Sequence, residues 1–167
     1  MAKKLKGVKR INRIINEFTW RNFRVKAVFH NEFLALCDEK VIGYTLAIDK
    51  GNLDYFIEDA EKRYPNIKAD PFLWLFMHEI GHCMTDGMWT QAELERFAEQ
   101  KEKMTEVEDE GFLLEIKNDW YHSVPDEFFA TKWAGEYMEK HPKKIAKFWN
   151  KLQPEIMKFY IINGLFE

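Results

Sequence analysis

Val8, Ile11, Ile15 and Phe18 recur at three- and four-residue intervals between basic and polar neighbours, the spacing of one face of an α-helix. Phe23, Val25, Ala27 and Phe29 then alternate with mostly polar residues, which predicts a strand. The apolar runs Phe33–Cys37 and Val41–Ile48, separated by Asp38-Glu39-Lys40, predict a hairpin. Asn52 is placed to cap a helix running to Tyr64, ahead of Pro65. Asp70-Pro71 pairs a capping residue with proline at a first helical position and opens a helix over 71–86. Thr90-Gln91-Ala92-Glu93 and Thr105-Glu106-Val107-Glu108 both read as capping boxes. Pro125 and Pro142 open two further helices, and Pro154 breaks or restarts the last. The pattern predicts an α+β fold: an N-terminal helix, a small three-stranded sheet, a central helix and a mostly helical C-terminal part, all in a single domain of residues 1–167.

Composition supports a core, since 46% of the 167 residues are hydrophobic and 16% aromatic. No apolar run is long enough to span a bilayer, and the N-terminus lacks the apolar stretch of a secretory signal. Cys37 and Cys83 form no Cys-x-x-Cys pair and read as small buried hydrophobes in a reducing compartment, so a cytoplasmic protein without membrane contact is expected. Charge alters the picture at the front of the chain. The net charge is −3, yet residues 1–26 carry nine Lys and Arg against Glu17 alone. Such a segment is able to touch nucleic acid or acidic lipid, although its helical apolar spacing favours a docked helix with a solvated basic face.

The chemistry concentrates in Phe76-Met77-His78-Glu79-Ile80-Gly81-His82. Two histidines four apart on a helix project side by side and can offer two imidazole nitrogens to one metal ion. Glu79, beside the first, is placed to take a proton from an attacking water. Phe72, Leu73, Leu75, Phe76 and Ile80 would bury this helix, and a purely structural helix has no use for a carboxylate there. A catalytic zinc takes three protein ligands and keeps one position open. The longer metzincin motif is ruled out, because Thr85 and Met88 stand where it requires glycine and histidine. Glu127 shares a helix face with Ala130, Ala134 and Met138, small neighbours that allow a close helix approach, and is the favoured third ligand. Glu110, Glu115, Asp119 and Asp126 compete with it. His122, just ahead of that helix, is either a surface loop residue, a ligand or a transition-state donor, with Tyr121 and Tyr137 as weaker donors.

His78-Glu79-x-x-His82 followed by Glu127-x-x-Ala130-x-x-Trp133-Ala134 resembles the gluzincin metallopeptidases, especially the small ImmA/IrrE-like proteins. The resemblance covers the two motif helices and loosely the strands before them. It implies a minimal zincin-like fold, one Zn²⁺ per chain on His78, His82 and Glu127, Glu79 as general base, and hydrolysis of a peptide bond in a specific intracellular protein or peptide. It also implies that the edge strand holding extended substrate is Val41–Ile48. One departure concerns support of the ligands: Thr131 stands where the pattern often has Asp or Asn, so either Thr131 orients a ligand histidine or Asp86 replaces it. The rival expectation is a catalytically inactive zincin-like module that keeps zinc and binds a regulatory protein or nucleic acid. No cleavage site or oligomeric state follows from the sequence.

Overall fold

The computed structural model describes residues 7–19, 24–27, 34–36, 41–44, 50–85, 90–106 and 125–163. Its elements are α1 (Val8–Thr19), β1 (Arg24–Ala27), β2 (Leu34–Leu36), β3 (Val41–Tyr44), α2 (Lys50–Arg63), α3 (Pro71–Thr85), α4 (Gln91–Glu106), α5 (Pro125–Lys140) and α6 (Pro142–Asn163).

The expectation of an α+β, zincin-like fold organised by a three-stranded sheet is corrected. Of the residues described together with their side chains, 89% are helical and none is in a strand, so that part of the molecule is all-α. Every buried apolar residue described lies on a helix except Ile67, in the connection between α2 and α3. Among the described residues, strand pairing is a short backbone ladder ordered β1-β3-β2, with β3 parallel to β1 and antiparallel to β2. Short apolar alternation is a local signal, whereas the described core is built by residues spaced along helices. A second expectation fails with the first: Val41–Tyr44 is hydrogen-bonded on both sides, so this stretch offers no edge to an extended substrate.

Helix α3 runs through the centre. Leu73 to Cys83 are buried without interruption, including Trp74 and Met77 at 0% exposure, so the helix is enclosed on all sides instead of presenting one apolar stripe. Its start is the one expected, since the Phe72 amide donates to Asp70 Oδ1 at 2.9 Å. Thr90 and Glu93 form the reciprocal capping box that opens α4.

Three expected boundaries move. α2 begins at Lys50, which puts Asn52 in its first turn and not at its cap. α4 continues through Thr105 to Glu106, so the second capping-box pattern starts no helix at Thr105, and Glu108 lies outside the described residues. α6 runs unbroken through Pro154, where burial of Leu152, Ile156 and Phe159 offsets the lost backbone bond.

Candidate metal centre

Two helices build the site. α3 packs most extensively on α5, and they cross where Gly81 meets Ala130. A Cβ on Gly81 would stand 2.4 Å from the Ala130 carbonyl oxygen, a contact that only glycine avoids. Ala130 and Ala134, both fully buried, keep the facing side of α5 equally thin. The close approach brings Glu127, in the first turn of α5, against His78 and His82 on α3. That turn also favours carboxylates, because its unpaired amides carry the positive end of the helix dipole.

His78 Nε2 and His82 Nε2 are 3.1 Å apart. The Glu127 carboxylate closes the triangle, with Oε2 at 2.9 Å from His78 Nε2 and Oε1 at 3.6 Å from His82 Nε2. The outer nitrogens are engaged elsewhere: His78 Nδ1 with Thr131 Oγ1 at 3.0 Å, and His82 Nδ1 with Asp126 Oδ1 at 3.2 Å. A carboxylate only accepts, so His82 Nδ1 is the donor in its pair, and its Nε2 carries a free lone pair whenever the ring is neutral. In the metal-free site His78 Nε2–H donates to Glu127, whereas in the tautomer whose Nδ1–H donates to Thr131 Oγ1 both Nε2 lone pairs and the carboxylate converge on one point, an arrangement that suits a cation.

The spacing fits zinc. Donors about 2.0–2.1 Å from a tetrahedral ion lie about 3.3 Å from one another, close to the 3.1 Å between the two Nε2 atoms and to the carboxylate contacts, which are made through different oxygens, Oε2 at 2.9 Å from His78 and Oε1 at 3.6 Å from His82. The donor set also suits a borderline-soft divalent cation.

Without metal, the site is held by charge. Burial alone pushes the His82 imidazole down, but hydrogen bonds to Asp126 and Glu127 overcome this and hold it well above its ordinary value. Burial pushes Glu127 up, and the bonds from His78 and His82 bring it well below the usual carboxylate range. For His78 burial wins over Glu127, and the ring is lowered. The resident cation of the metal-free triad is therefore a proton on His82. Glu79, buried next to these groups, is pushed up to about 8, by desolvation first.

The structure thus brings together His78, Glu79, His82, Glu127 and Thr131, all buried. Asp126, read from sequence as a rival ligand, lies 3.2 Å from the outer nitrogen of His82 and forms with His82 and Glu127 one cluster able to hold a metal ion, as His78, Glu79 and His82 form another; the contact with the outer ring nitrogen also gives it a supporting role not expected from the sequence. The available signal was its place one residue before Glu127 on the same helix turn, about 100° around the axis. Tyr137 is placed elsewhere: Lys144 Nζ donates to its hydroxyl at 2.6 Å and its ring stacks on Trp133. Asp86, Tyr121, His122, Glu110, Glu115 and Asp119 lie outside the described residues. Phe56 covers one flank, its ring 4.9 Å from that of His78. Among the described residues, no helix is long and apolar enough to cross a membrane. No family model, curated protein or solved structure matches the chain.

Proposed function

We propose that this protein is a zinc-dependent peptidase of gluzincin type, with zinc held by His78, His82 and Glu127. The observation that carries the reading is the convergence of two imidazole Nε2 atoms and one carboxylate, each pair within 3.6 Å, with the outer nitrogen of each ring already engaged. A structural zinc site is closed by four protein ligands, whereas three ligands beside a buried carboxylate are the composition of a hydrolytic one.

When bound, the ion supplies a Lewis acid that polarises a carbonyl and eases deprotonation of water. The protein's own residues supply the rest. Thr131 and Asp126 fix the two rings so that the ligand geometry exists before the metal arrives. Glu79 takes a proton from the attacking water and returns it to the departing amine. Its raised pKa in the metal-free state follows from a dry site crowded with Glu127 and Asp126, and a nearby cation lowers it into the range of a working base.

The reading is tested by measuring zinc and peptide hydrolysis together. Elemental analysis after dialysis against a weak chelator should give one zinc per chain, lost in His78→Ala, His82→Ala and Glu127→Ala. Hydrolysis of a denatured-protein or peptide-library substrate should require that zinc. Full zinc occupancy in any of the three variants would overturn the ligand set. Stoichiometric zinc with no cleavage of any library member would favour the non-catalytic module.

A further inference from the structure

We infer that the seam between α1 and α6 is a docking surface for the phosphate backbone of a nucleic acid. The two helices pack antiparallel, with the Phe18 and Phe148 rings stacked 4.0 Å apart. Together they carry eight bases, Lys9, Arg10, Arg13, Lys143, Lys144, Lys147, Lys151 and Lys158, against Glu17 and Glu155. This is a surplus of six positive charges on a chain of net charge −3, so the remainder of the sequence stands at −9. Charge is therefore segregated onto one helix pair.

The two acids do not neutralise this face; they tie its cations together across the seam. Glu155 binds Arg10 at 2.9 Å, and Glu17 binds Arg13 at 2.9 Å and Lys151 at 3.6 Å. Arg10, Arg13 and Lys151 remain 69%, 80% and 53% exposed. Lys143, Lys147 and Lys151 follow one another every four residues, each about 6 Å further along the helix axis and about 40° around it. Lys9 and Arg13 form a shorter row at the same interval on α1. Exposed cations recurring at helical intervals on two adjoining helices, with Arg10 and Lys151 tied across the seam by Glu155 and Glu17, fit a regular polyanion better than a folded acidic protein, whose carboxylates have no such repeat.

A membrane is the less suited partner. Among the described residues, the exposed large apolar side chains of α6 are Met157, Ile161 and Ile162, all beyond the lysine row, and none lies between Lys143 and Lys151. The stretch 143–151 offers charge without an apolar wedge, the exposed apolar residues flanking only Lys158, and this suits backbone phosphates recognised without regard to base sequence.

The test is fluorescence anisotropy of labelled 20-nucleotide single-stranded and duplex DNA with the full-length protein between 50 and 200 mM salt. Engagement of four phosphates gives a log–log salt slope of about −3.6 on duplex, or roughly a hundredfold loss over that range. The triple variant Lys9→Gln, Arg13→Gln, Lys147→Gln should flatten the slope by about 2.7. A control of equal net charge, Lys62→Gln, Lys68→Gln, Lys132→Gln, removes exposed cations from outside the seam and should leave the slope near wild type. Circular dichroism and zinc content should be unchanged in both, so the result does not depend on the peptidase reading. Equal weakening by the two variants, or no binding at 50 mM salt, would overturn the assignment. Binding to phosphatidylglycerol vesicles but not to DNA would do so as well.

Discussion

Glu79 shows how much a single carboxylate can reveal. A buried acid pushed up to about 8 is neutral in the metal-free protein over most of the range where the unfolded chain, at about 4.5, is ionised. Its contribution to stability is complete below 4.5 and is lost as pH rises through 8. Metal-free Glu79→Gln should therefore nearly match wild type in stability near pH 4.5 and exceed it by on the order of 4 kcal/mol near pH 8, read from urea unfolding at the two pH values. Identical pH profiles would show that Glu79 is not desolvated as described. In the zinc-loaded protein the same substitution should keep the metal and reduce peptide hydrolysis by orders of magnitude. His78, Glu79 and His82 were legible in the sequence because their geometry is local to one helix. Glu127 was legible only through the alanines that share its face. The pairing of Asp126 with His82 and of Thr131 with His78 spans 44 and 53 residues, and no local pattern encodes which ring nitrogen each would meet. Thr131→Val and Asp126→Ala should each weaken zinc binding by about 10–100-fold, measured by competition with a chromophoric chelator.

At the scale of elements, the site depends on one helix crossing. Gly81→Ala would drive a Cβ to 2.4 Å from the Ala130 carbonyl oxygen, which is backbone and cannot rotate away. Gly135→Ala meets the Tyr64 ring at the same distance, but a side chain can yield. Both variants should lose stability, by about 1–3 kcal/mol as overpacking usually costs, with Gly81→Ala the greater. Only Gly81→Ala should also lose zinc affinity, because it moves α3 away from Glu127. Thermal unfolding and metal titration of the pair check this, and wild-type zinc affinity in Gly81→Ala would show that the crossing does not set the ligand geometry. Element starts were readable wherever side chain and backbone meet locally, as at Asp70 and Thr90. The same Thr-x-x-Glu pattern at Thr105 differs, because Thr105 itself is helical at the described end of α4, where a capping residue would precede the helix. The α+β expectation failed for a related reason. Alternation in short apolar runs is a local signal, while the described core is decided by helices whose packing partners lie far along the chain.

For the whole molecule, the opposed charges at the α3–α5 junction couple protonation to folding, and on the proposed zinc reading they couple metal binding to both. The raised His82 contributes stability that is present below its unfolded value near 6.5 and is lost as pH rises through its higher folded value. The lowered Glu127 contributes stability that is present above about 4.5 and is lost as pH falls through its lower folded value. The metal-free protein is thus held together at this junction by a protonated imidazole between two carboxylates from about pH 4.5 to above 6.5. Zinc needs the same Nε2 lone pair that the proton occupies, so it must displace that proton. Its positive charge also favours ionised Glu79, which the metal-free protein holds neutral. Zinc binding at pH 7 should therefore release between one and two protons per ion, and affinity should climb as pH rises from 6 to 8. Calorimetry in two buffers of different ionisation enthalpy gives the number directly. In Glu79→Gln the release should fall toward one while affinity is retained, and in His82→Ala both release and affinity should collapse. Zinc binding with no proton release at pH 7 would mean that His82 is neutral in the metal-free protein, and that the junction is held by packing instead of charge.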